Sequence, residues 1–269
     1  LNIALAGTGV GKSLFMCHVA SSCLLQGRNV LYITCEMAEE KIAERIDANL
    51  LDIPIQALQD PLLTKQKYRA KMDVLKKKTQ GKLVIKEYPT ASAHVGHFKA
   101  LLNELSLKKG FHPEIIFVDY LNICASSRYK GTIVNSYTYV KAIAEELRGL
   151  AGEYNVPILS ATQTTRSGYG NSNVEITDTS ESFGLPATAD LMFALISTED
   201  MEELNQIMVK QLKNRYNDPT VYKRFVLGID RQKMRLYDCE QGAQDNIIDA
   251  GDAPKSFTDT KKSFEGFKI

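Results

Sequence analysis

Short apolar runs alternate along this chain with longer segments in which apolar side chains recur every three or four residues. A run of about five apolar residues is typical of a strand that is buried on both faces. Apolar residues that recur every three or four positions are typical of a helix that packs by one face. The short runs predict strands at residues 1–6, 30–34, 83–86, 115–119, 157–161 and 191–196. The periodic segments predict helices at residues 13–26, 38–50, 64–78, 97–107 and 136–154. This alternation predicts an α/β fold with a mainly parallel sheet and helices on both of its faces.

The pattern changes after residue 200. Three further strands, joined by short turns, are predicted at residues 206–213, 224–230 and 233–239. They indicate an antiparallel extension of the sheet near the carboxyl end. Residues 241–269 are polar, with Phe257, Phe264 and Phe267 isolated among them, and we expect a flexible tail there. The first predicted strand starts at residue 1, so we expect the domain at 1–240 to follow a further domain upstream.

Composition narrows the class of protein. The chain has 269 residues, of which 44% are hydrophobic and 24% charged, with a formal net charge of +1. This is enough apolar sequence for a full core, and the charge does not suit a protein that coats DNA through its whole surface. No apolar run has membrane-spanning length, and we expect no membrane association. The five cysteines form no C-x-x-C pair, which indicates reduced thiols and a cytoplasmic protein.

The strongest motif lies between the first predicted strand and the first predicted helix. It matches G-x-x-x-x-G-K-[ST], except that Ala6 stands in place of the first glycine. The residues that follow are Gly7, Thr8, Gly9, Val10, Gly11, Lys12 and Ser13. Small residues let backbone N–H groups converge on a phosphate, and the helix N-terminus adds partial positive charge. The motif predicts ATP or GTP bound with Mg²⁺, with Lys12 on the β- and γ-phosphates and the Ser13 hydroxyl on the metal.

Three polar residues follow other predicted strands. Asp119 ends an apolar strand, where a carboxylate can orient Mg²⁺ at the carboxyl edge of the sheet. Glu36 follows the second strand and could polarise the attacking water; a glutamate favoured by the dipole of the next helix fits that position equally well. Gln163 could sense the γ-phosphate, or be an ordinary polar loop residue.

Two cations end a later predicted strand. Lys213 and Arg215 are separated by one residue, so on a strand they point to the same side. The phosphate loop already has its own lysine. The extra pair suits a finger that reaches a neighbouring subunit's nucleotide, although a solvated basic strand end fits the sequence as well.

In this order, these pieces resemble the RecA-like C-terminal motor domain of DnaB-type replicative DNA helicases, most of all those of T-even-like bacteriophages. The segments that carry the resemblance are residues 6–13, 31–40 (LYITCEMAEE), 45–51 (RIDANLL), 117–124 (FVDYLNIC), 135–148 (NSYTYVKAIAEELR), 181–190 (ESFGLPATAD) and 210–216 (KQLKNRY). P-loop proteins in general do not share the second, sixth and seventh of these segments.

The resemblance implies a role for each residue of the predicted site. Glu36 becomes the catalytic base, Asp119 the Walker B carboxylate and Gln163 the sensor. Arg215 becomes an arginine finger, with Lys213 beside it, and both act on the adjacent subunit. A homo-hexamer that moves 5′ to 3′ on single-stranded DNA, a primase, a helicase loader and the host cytoplasm are also implied.

Candidate DNA contacts lie in the segments after Asp119 and Gln163. In this family such loops line a central pore, and these segments carry Arg128, Lys130 and Arg166. The resemblance adds Glu181, although Ser180 beside it stands where many bacterial relatives carry arginine. Two rival functions remain: a RecA-type recombinase that forms filaments, and a non-motor ATP-binding regulator.

Overall fold

The computed structural model describes residues 1–58, 65–78, 81–129, 134–164, 174–179, 184–218, 220–240 and 244. The strands are β1 Asn2–Ala6, β2 Val30–Thr34, β3 Leu83–Glu87, β4 Ile115–Asp119, β5 Ile158–Gln163, β6 Leu191–Ile196, β7 Gln206–Asn214, β8 Arg224–Asp230 and β9 Arg235–Asp238. The helices are α1 Lys12–Leu25, α2 Glu39–Leu51, α3 Ile55–Leu58, α4 Lys65–Lys78, α5 Val95–Lys109, α6 Ser136–Glu153, α7 Gly184–Thr188 and α8 Glu199–Glu203.

The strands form one sheet in the order β3-β2-β4-β5-β1-β6-β7-β8-β9. Strands β1 to β6 are mutually parallel, and β7, β8 and β9 continue the sheet in antiparallel pairs. The predicted fold class is therefore confirmed, including its antiparallel extension. The short helices α3, α7 and α8 were not predicted, since segments of four or five residues carry too little periodicity to be seen.

Each face of the parallel sheet has its own core. Ile3, Leu31 and Ile116 pack with residues of α5 and α6 in one cluster. Val30 and Phe117, which alternate with them along the strands, pack with residues of α1 and α2 in another. Because successive side chains point to opposite faces, a strand covered on both sides is apolar at most of its positions. The uninterrupted apolar runs in the sequence have this cause.

The antiparallel strands β7, β8 and β9 pack against α1. Leu14 of α1 packs with Ile229 and Leu236 in a third cluster. A Cβ at Gly228 would lie 2.2 Å from the ring of Tyr237, so only glycine lets this ring cross the strand. The packing brings the turn at residues 231–234 beside the start of α1.

The predicted tail at 241–269 lies outside the described residues, apart from Gln244. The Gln244 side chain accepts from the Val226 backbone nitrogen at 2.9 Å and donates to its carbonyl at 2.7 Å. All five cysteines are free thiols. In the described part of the chain, no helix has both the length and the apolar character needed to cross a membrane.

Candidate active site

The predicted phosphate-binding residues meet at the carboxyl edge of the sheet. Ala6 of β1 is level with Gln163 of β5, and Thr34 of β2 is level with Asp119 of β4. Parallel strands end on the same side, so the residues that follow them converge. Together they border a cleft of about 350 Å³. Its lining consists of Thr8, Gly9, Gly11, Lys12, Ser13, Leu14, Glu36, Arg45, Gln163, Arg231 and Met234.

The glycine-rich loop adopts backbone angles that favour glycine. Gly9 has φ +82° and Gly11 has φ +120°, both in the region that side chains rarely adopt. Gly11 caps α1 without a side-chain hydrogen bond, and the first turn of α1 holds no acidic residue. The N-terminal N–H groups of α1 are therefore left for an anion.

Lys12 is half-buried beside this loop. Its Nζ donates to the Gly7 carbonyl at 3.2 Å and lies 6.0 Å from the centroid of the Tyr120 ring. Burial lowers the pKa of Lys12, and the negative charges of Glu36 and Asp119 partly oppose that shift. Two carboxylates thus face the lysine in the cleft, where a phosphate would be a further partner of opposite charge.

Asp119 is fully buried beneath the cleft. Tyr32 Oη donates to its Oδ2 at 2.9 Å, whereas Oδ1 is buried without a hydrogen-bond partner among the described residues. Burial raises the pKa of Asp119, and hydrogen bonding from Tyr32 and Ser13 partly offsets this. A buried oxygen with unused acceptor capacity requires an explanation.

A magnesium ion fits this arrangement. Mg²⁺ prefers oxygen ligands and is commonly held by one or two protein groups together with phosphate oxygens and water. Asp119 Oδ1 and the Ser13 hydroxyl are such groups. No cluster of three His, Cys, Asp or Glu residues suited to a metal occurs in the described ranges, so the remaining ligands would have to come from nucleotide and water.

Glu36 is exposed and lies across the cleft from Lys12. The Thr34 hydroxyl accepts from the Met37 nitrogen at 3.1 Å and donates to the Met37 carbonyl at 2.9 Å, which fixes the short loop that carries Glu36. Helix α2 starts only at Glu39, with Glu39 and Glu40 as the acidic residues of its first turn. Glu36 thus lies two residues before the N-cap Ala38 and outside the first turn of α2.

The sequence predicts a strand that ends at residue 161, with Gln163 in the loop after it. In the structure, Gln163 is instead the last residue of β5. Its Nε2 donates to Tyr120 Oη at 3.2 Å. Because the Tyr120 ring also faces Lys12, this tyrosine links the amide to the phosphate-binding lysine.

Four residues of the site were missed in the sequence: Tyr32, Tyr120, Arg45 and Arg231. Tyr32 could be found from the sequence, because a tyrosine hydroxyl inside a buried strand needs a hydrogen-bond partner. Arg45 of α2 and Arg231 of the β8–β9 turn carried none, because nothing in a helix or a turn shows which arginine points into a cleft.

Lys213 and Arg215 lie at the opposite edge of the sheet. Leu191 at the start of β6 is level with both Asn2 of β1 and Asn214 of β7. The two cations therefore lie where the parallel strands begin, away from the phosphate loop of their own chain. They share an acceptor, the Ala187 carbonyl, at 3.2 Å from Lys213 Nζ and 3.0 Å from Arg215 Nη2.

Among the predicted DNA contacts, Arg128 alone is described. Its guanidinium pairs with Glu145 of α6 and lies 4.0 Å from Glu146 Oε1. Lys130, Arg166 and Glu181 lie outside the described residues.

A family model for the DnaB-like helicase C terminal domain matches residues 1–224. The chain belongs to the DnaB-like helicase family. Among curated relatives, this DnaB-like chain is 46% identical over 242 residues to the DnaB-like replicative helicase of Enterobacteria phage T4, covering 90% of this chain and 51% of the relative. It is 25% identical to the replicative DNA helicase DnaB of Helicobacter pylori (strain ATCC 700392 / 26695), covering 71% of this chain and 38% of that one.

A solved structure of a DnaB-like replicative helicase, described together with its interactions with primase, has the same fold. The TM-score is 0.73 at 17% identity, over 89% of this chain and 57% of that chain. The chain thus spans about half the length of its phage T4 relative, which is 51% covered. The resemblance to DnaB-type helicases and to their T-even phage members is confirmed.

Proposed function

We propose that this domain is the motor of a replicative DNA helicase, driven by hydrolysis of ATP or GTP. The observation that carries the proposal is the meeting of Lys12, Ser13, Glu36 and Gln163 around one cleft, above the buried Asp119. Family membership supports the same function and favours a helicase over a recombinase.

The phosphate loop binds the nucleotide in this proposal. Lys12 binds the β- and γ-phosphates, while backbone N–H groups of residues 7–13 surround them. Ser13 and Asp119 would hold Mg²⁺. When bound, the metal would neutralise negative charge that develops on the phosphates.

The remaining residues of the cleft act on the γ-phosphate. Glu36 accepts a proton from the attacking water, for which its exposed position in the cleft is suitable. Gln163 contacts the γ-phosphate and reports its loss through β5 to the residues that follow. The hydrogen bond from Gln163 to Tyr120 extends this response to the segment after Asp119.

Arg215 acts on the nucleotide of an adjacent subunit, with Lys213 beside it. Strand β1 has five residues, or about 16 Å at roughly 3.3 Å per residue, so Arg215 is too far from the loop at the other end of its own β1. A residue that cannot serve its own site can serve a neighbour's in a ring. This supports a homo-hexamer with nucleotide between subunits.

Single-stranded DNA would pass through the centre of that ring. Arg128, Lys130, Arg166 and Glu181 are proposed contacts, and Arg128 would have to exchange Glu145 for a phosphate. Movement 5′ to 3′, association with a primase and a loader, and action in the host cytoplasm belong to the same proposal. The solved relative described with primase supports the first of those partners.

The decisive experiment is the rate of ATP and GTP hydrolysis with and without single-stranded DNA, using Lys12→Ala as the background. We expect the wild-type rate to rise severalfold with DNA. A rate that DNA does not change would favour the non-motor regulator. Electron microscopy with nucleotide separates closed rings from the filaments of a recombinase.

A further inference from the structure

Asp190 lies at the start of β6 and is shared by two arginines. Its side chain is only 12% exposed. Oδ1 accepts from Arg148 Nη2 at 2.9 Å, and it forms an ion pair with Arg215, whose Nε lies 2.9 Å away. Oδ2 accepts from the backbone nitrogen of Leu1 at 2.8 Å and from Arg148 Nε at 3.2 Å. Both oxygens of this carboxylate are therefore fully engaged.

Arg215 is bound along one side only. Its backbone nitrogen donates to the Asp190 carbonyl at 2.8 Å, and its Nη2 donates to the Ala187 carbonyl at 3.0 Å. Together with the ion pair between Nε and Asp190, these contacts restrict where the guanidinium can lie. In the described part of the chain, Nη1 donates to no group, and the side chain is 37% exposed. One edge of the guanidinium is thus held, and the other is available.

We propose that Asp190 is the positioning residue of the arginine finger, and that Arg148 holds Asp190 in place. The proposal rests on the trans-acting role proposed for Arg215. A long arginine side chain loses rotamer freedom when it engages a phosphate, and a side chain that is oriented beforehand loses less. Asp190 provides that orientation from within the subunit that donates the finger.

Arg148 explains why the carboxylate itself stays fixed. Its Nε and Nη2 both bond to Asp190, a two-point contact that sets the carboxylate plane as well as its position. Arg148 comes from α6 and Arg215 follows β7, so the carboxylate ties a helix to the finger strand. Supporting contacts of this kind commonly decide whether a functional group is held closely enough to work.

Asp190 could also have the opposite function, that of a restraint on the finger. A carboxylate on Arg215 could restrain the finger and have to release it before hydrolysis. The two functions differ in sign, because loss of a positioning group slows the chemical step and loss of a restraint accelerates it.

The test is Asp190→Asn in the assembled protein with saturating single-stranded DNA. Asparagine keeps the size of the side chain but loses its charge. We expect kcat for nucleotide hydrolysis to fall about 10-fold or more, as for lost supporting contacts elsewhere, with nucleotide Kd changed less than twofold. Arg148→Lys, which keeps charge but loses the two-point contact, should give a smaller fall in kcat. Arg28→Ala is the matched control, since Arg28 pairs with Glu114 on the exposed surface.

A double mutant separates positioning from general stability. If Asp190 acts through Arg215, adding Asp190→Asn to Arg215→Ala should cause no further loss of kcat. A further loss of the same size would overturn the inference and make Asp190 structural. If kcat is unchanged or faster in Asp190→Asn while Arg215→Ala is slow, the positioning role of Asp190 would be overturned and the finger role of Arg215 would stand. Normal hydrolysis by Arg215→Ala would overturn the finger and this inference together.

Discussion

The two edges of the parallel sheet use charge in opposite ways. At the carboxyl edge, one buried oxygen of Asp119 has no hydrogen-bond partner among the described residues, and Lys12 is partly desolvated. At the other edge, Asp190 is bound on both oxygens, and Lys213 donates to the Pro186 carbonyl at 2.6 Å. The first edge retains unused binding capacity, and the second is nearly satisfied within the chain.

This difference in hydrogen bonding indicates which kind of partner each edge of the sheet can bind. Buried polar atoms without partners cost free energy that a ligand can recover, so the carboxyl edge suits metal and phosphate. A satisfied edge has little to gain from a small ligand. In the proposed ring, it would instead present one preset group, the Nη1 side of Arg215, to another subunit.

The largest effect should come from Lys12→Ala. Lys12 is the phosphate loop's own cation, so its loss should reduce hydrolysis to background and largely remove nucleotide binding. Fluorescent-nucleotide titration and a phosphate-release assay would measure both. Lys41→Ala is the control, because Lys41 is exposed and pairs with Glu44. Near-normal turnover in Lys12→Ala would exclude the phosphate loop.

Arg215→Ala should slow hydrolysis by about 10³-fold and leave nucleotide binding intact, since a finger stabilises charge that develops in the transition state. Mixing these subunits with Lys12→Ala subunits should restore part of the rate, because some interfaces then join an intact loop to an intact finger.

Demonstrably mixed rings that stay inactive would indicate either action of Arg215 on its own site or a need for every site at once. Single-turnover rates in rings doped with few variant subunits would separate these two cases.

Glu36→Gln should slow hydrolysis by about 10²-fold at unchanged nucleotide affinity, the usual scale for a lost general base. Glu40→Gln, an exposed change in the first turn of α2, should have no effect. Lower affinity with a surviving rate would show Glu36 to be structural.

The smallest effect should be a gain in stability. Burial raises the pKa of Asp119, so its charged form costs folding free energy at neutral pH. Asp119→Asn should therefore raise the Tm of the nucleotide-free protein by about 2–4 °C, the shift expected for roughly 1 kcal/mol. The gain should shrink as the pH falls through the raised pKa, where wild-type Asp119 becomes neutral.

Calorimetry across pH 5–8 would measure that difference, with the exposed Asp73→Asn as control. A lower Tm for Asp119→Asn throughout this range would show that the carboxylate contributes to stability without a ligand. Hydrolysis should be lost in either case.

The sequence predicted the parallel sheet because its strands are buried on both faces and read as unbroken apolar runs. Strands β2, β4, β6 and β8 agree with the predicted bounds to the residue. The end of β5 was placed two residues early, because Thr162 and Gln163 are polar yet continue the pairing with β1. Polarity alone therefore marked the wrong boundary.

The site divides in the same manner. Lys12 and Ser13 follow from a local motif whose geometry is set within a few residues. Arg45 and Arg231 enter the cleft only because α2 and the β8–β9 turn pack against α1, which is tertiary information. The support of Arg215 by Asp190 was likewise hidden, since the two are 25 positions apart and nothing local pairs them.

The isolated bridge between Thr164 and Thr179 gives this sheet a mechanical property. Thr164 directly follows Gln163, and its nitrogen donates to the Ala6 carbonyl at 3.2 Å, beside the phosphate loop. The bridge therefore joins both ends of the intervening segment at one anchor point on β5. A displacement of Gln163 would therefore reach Thr179 directly through this pairing, and not only along the chain.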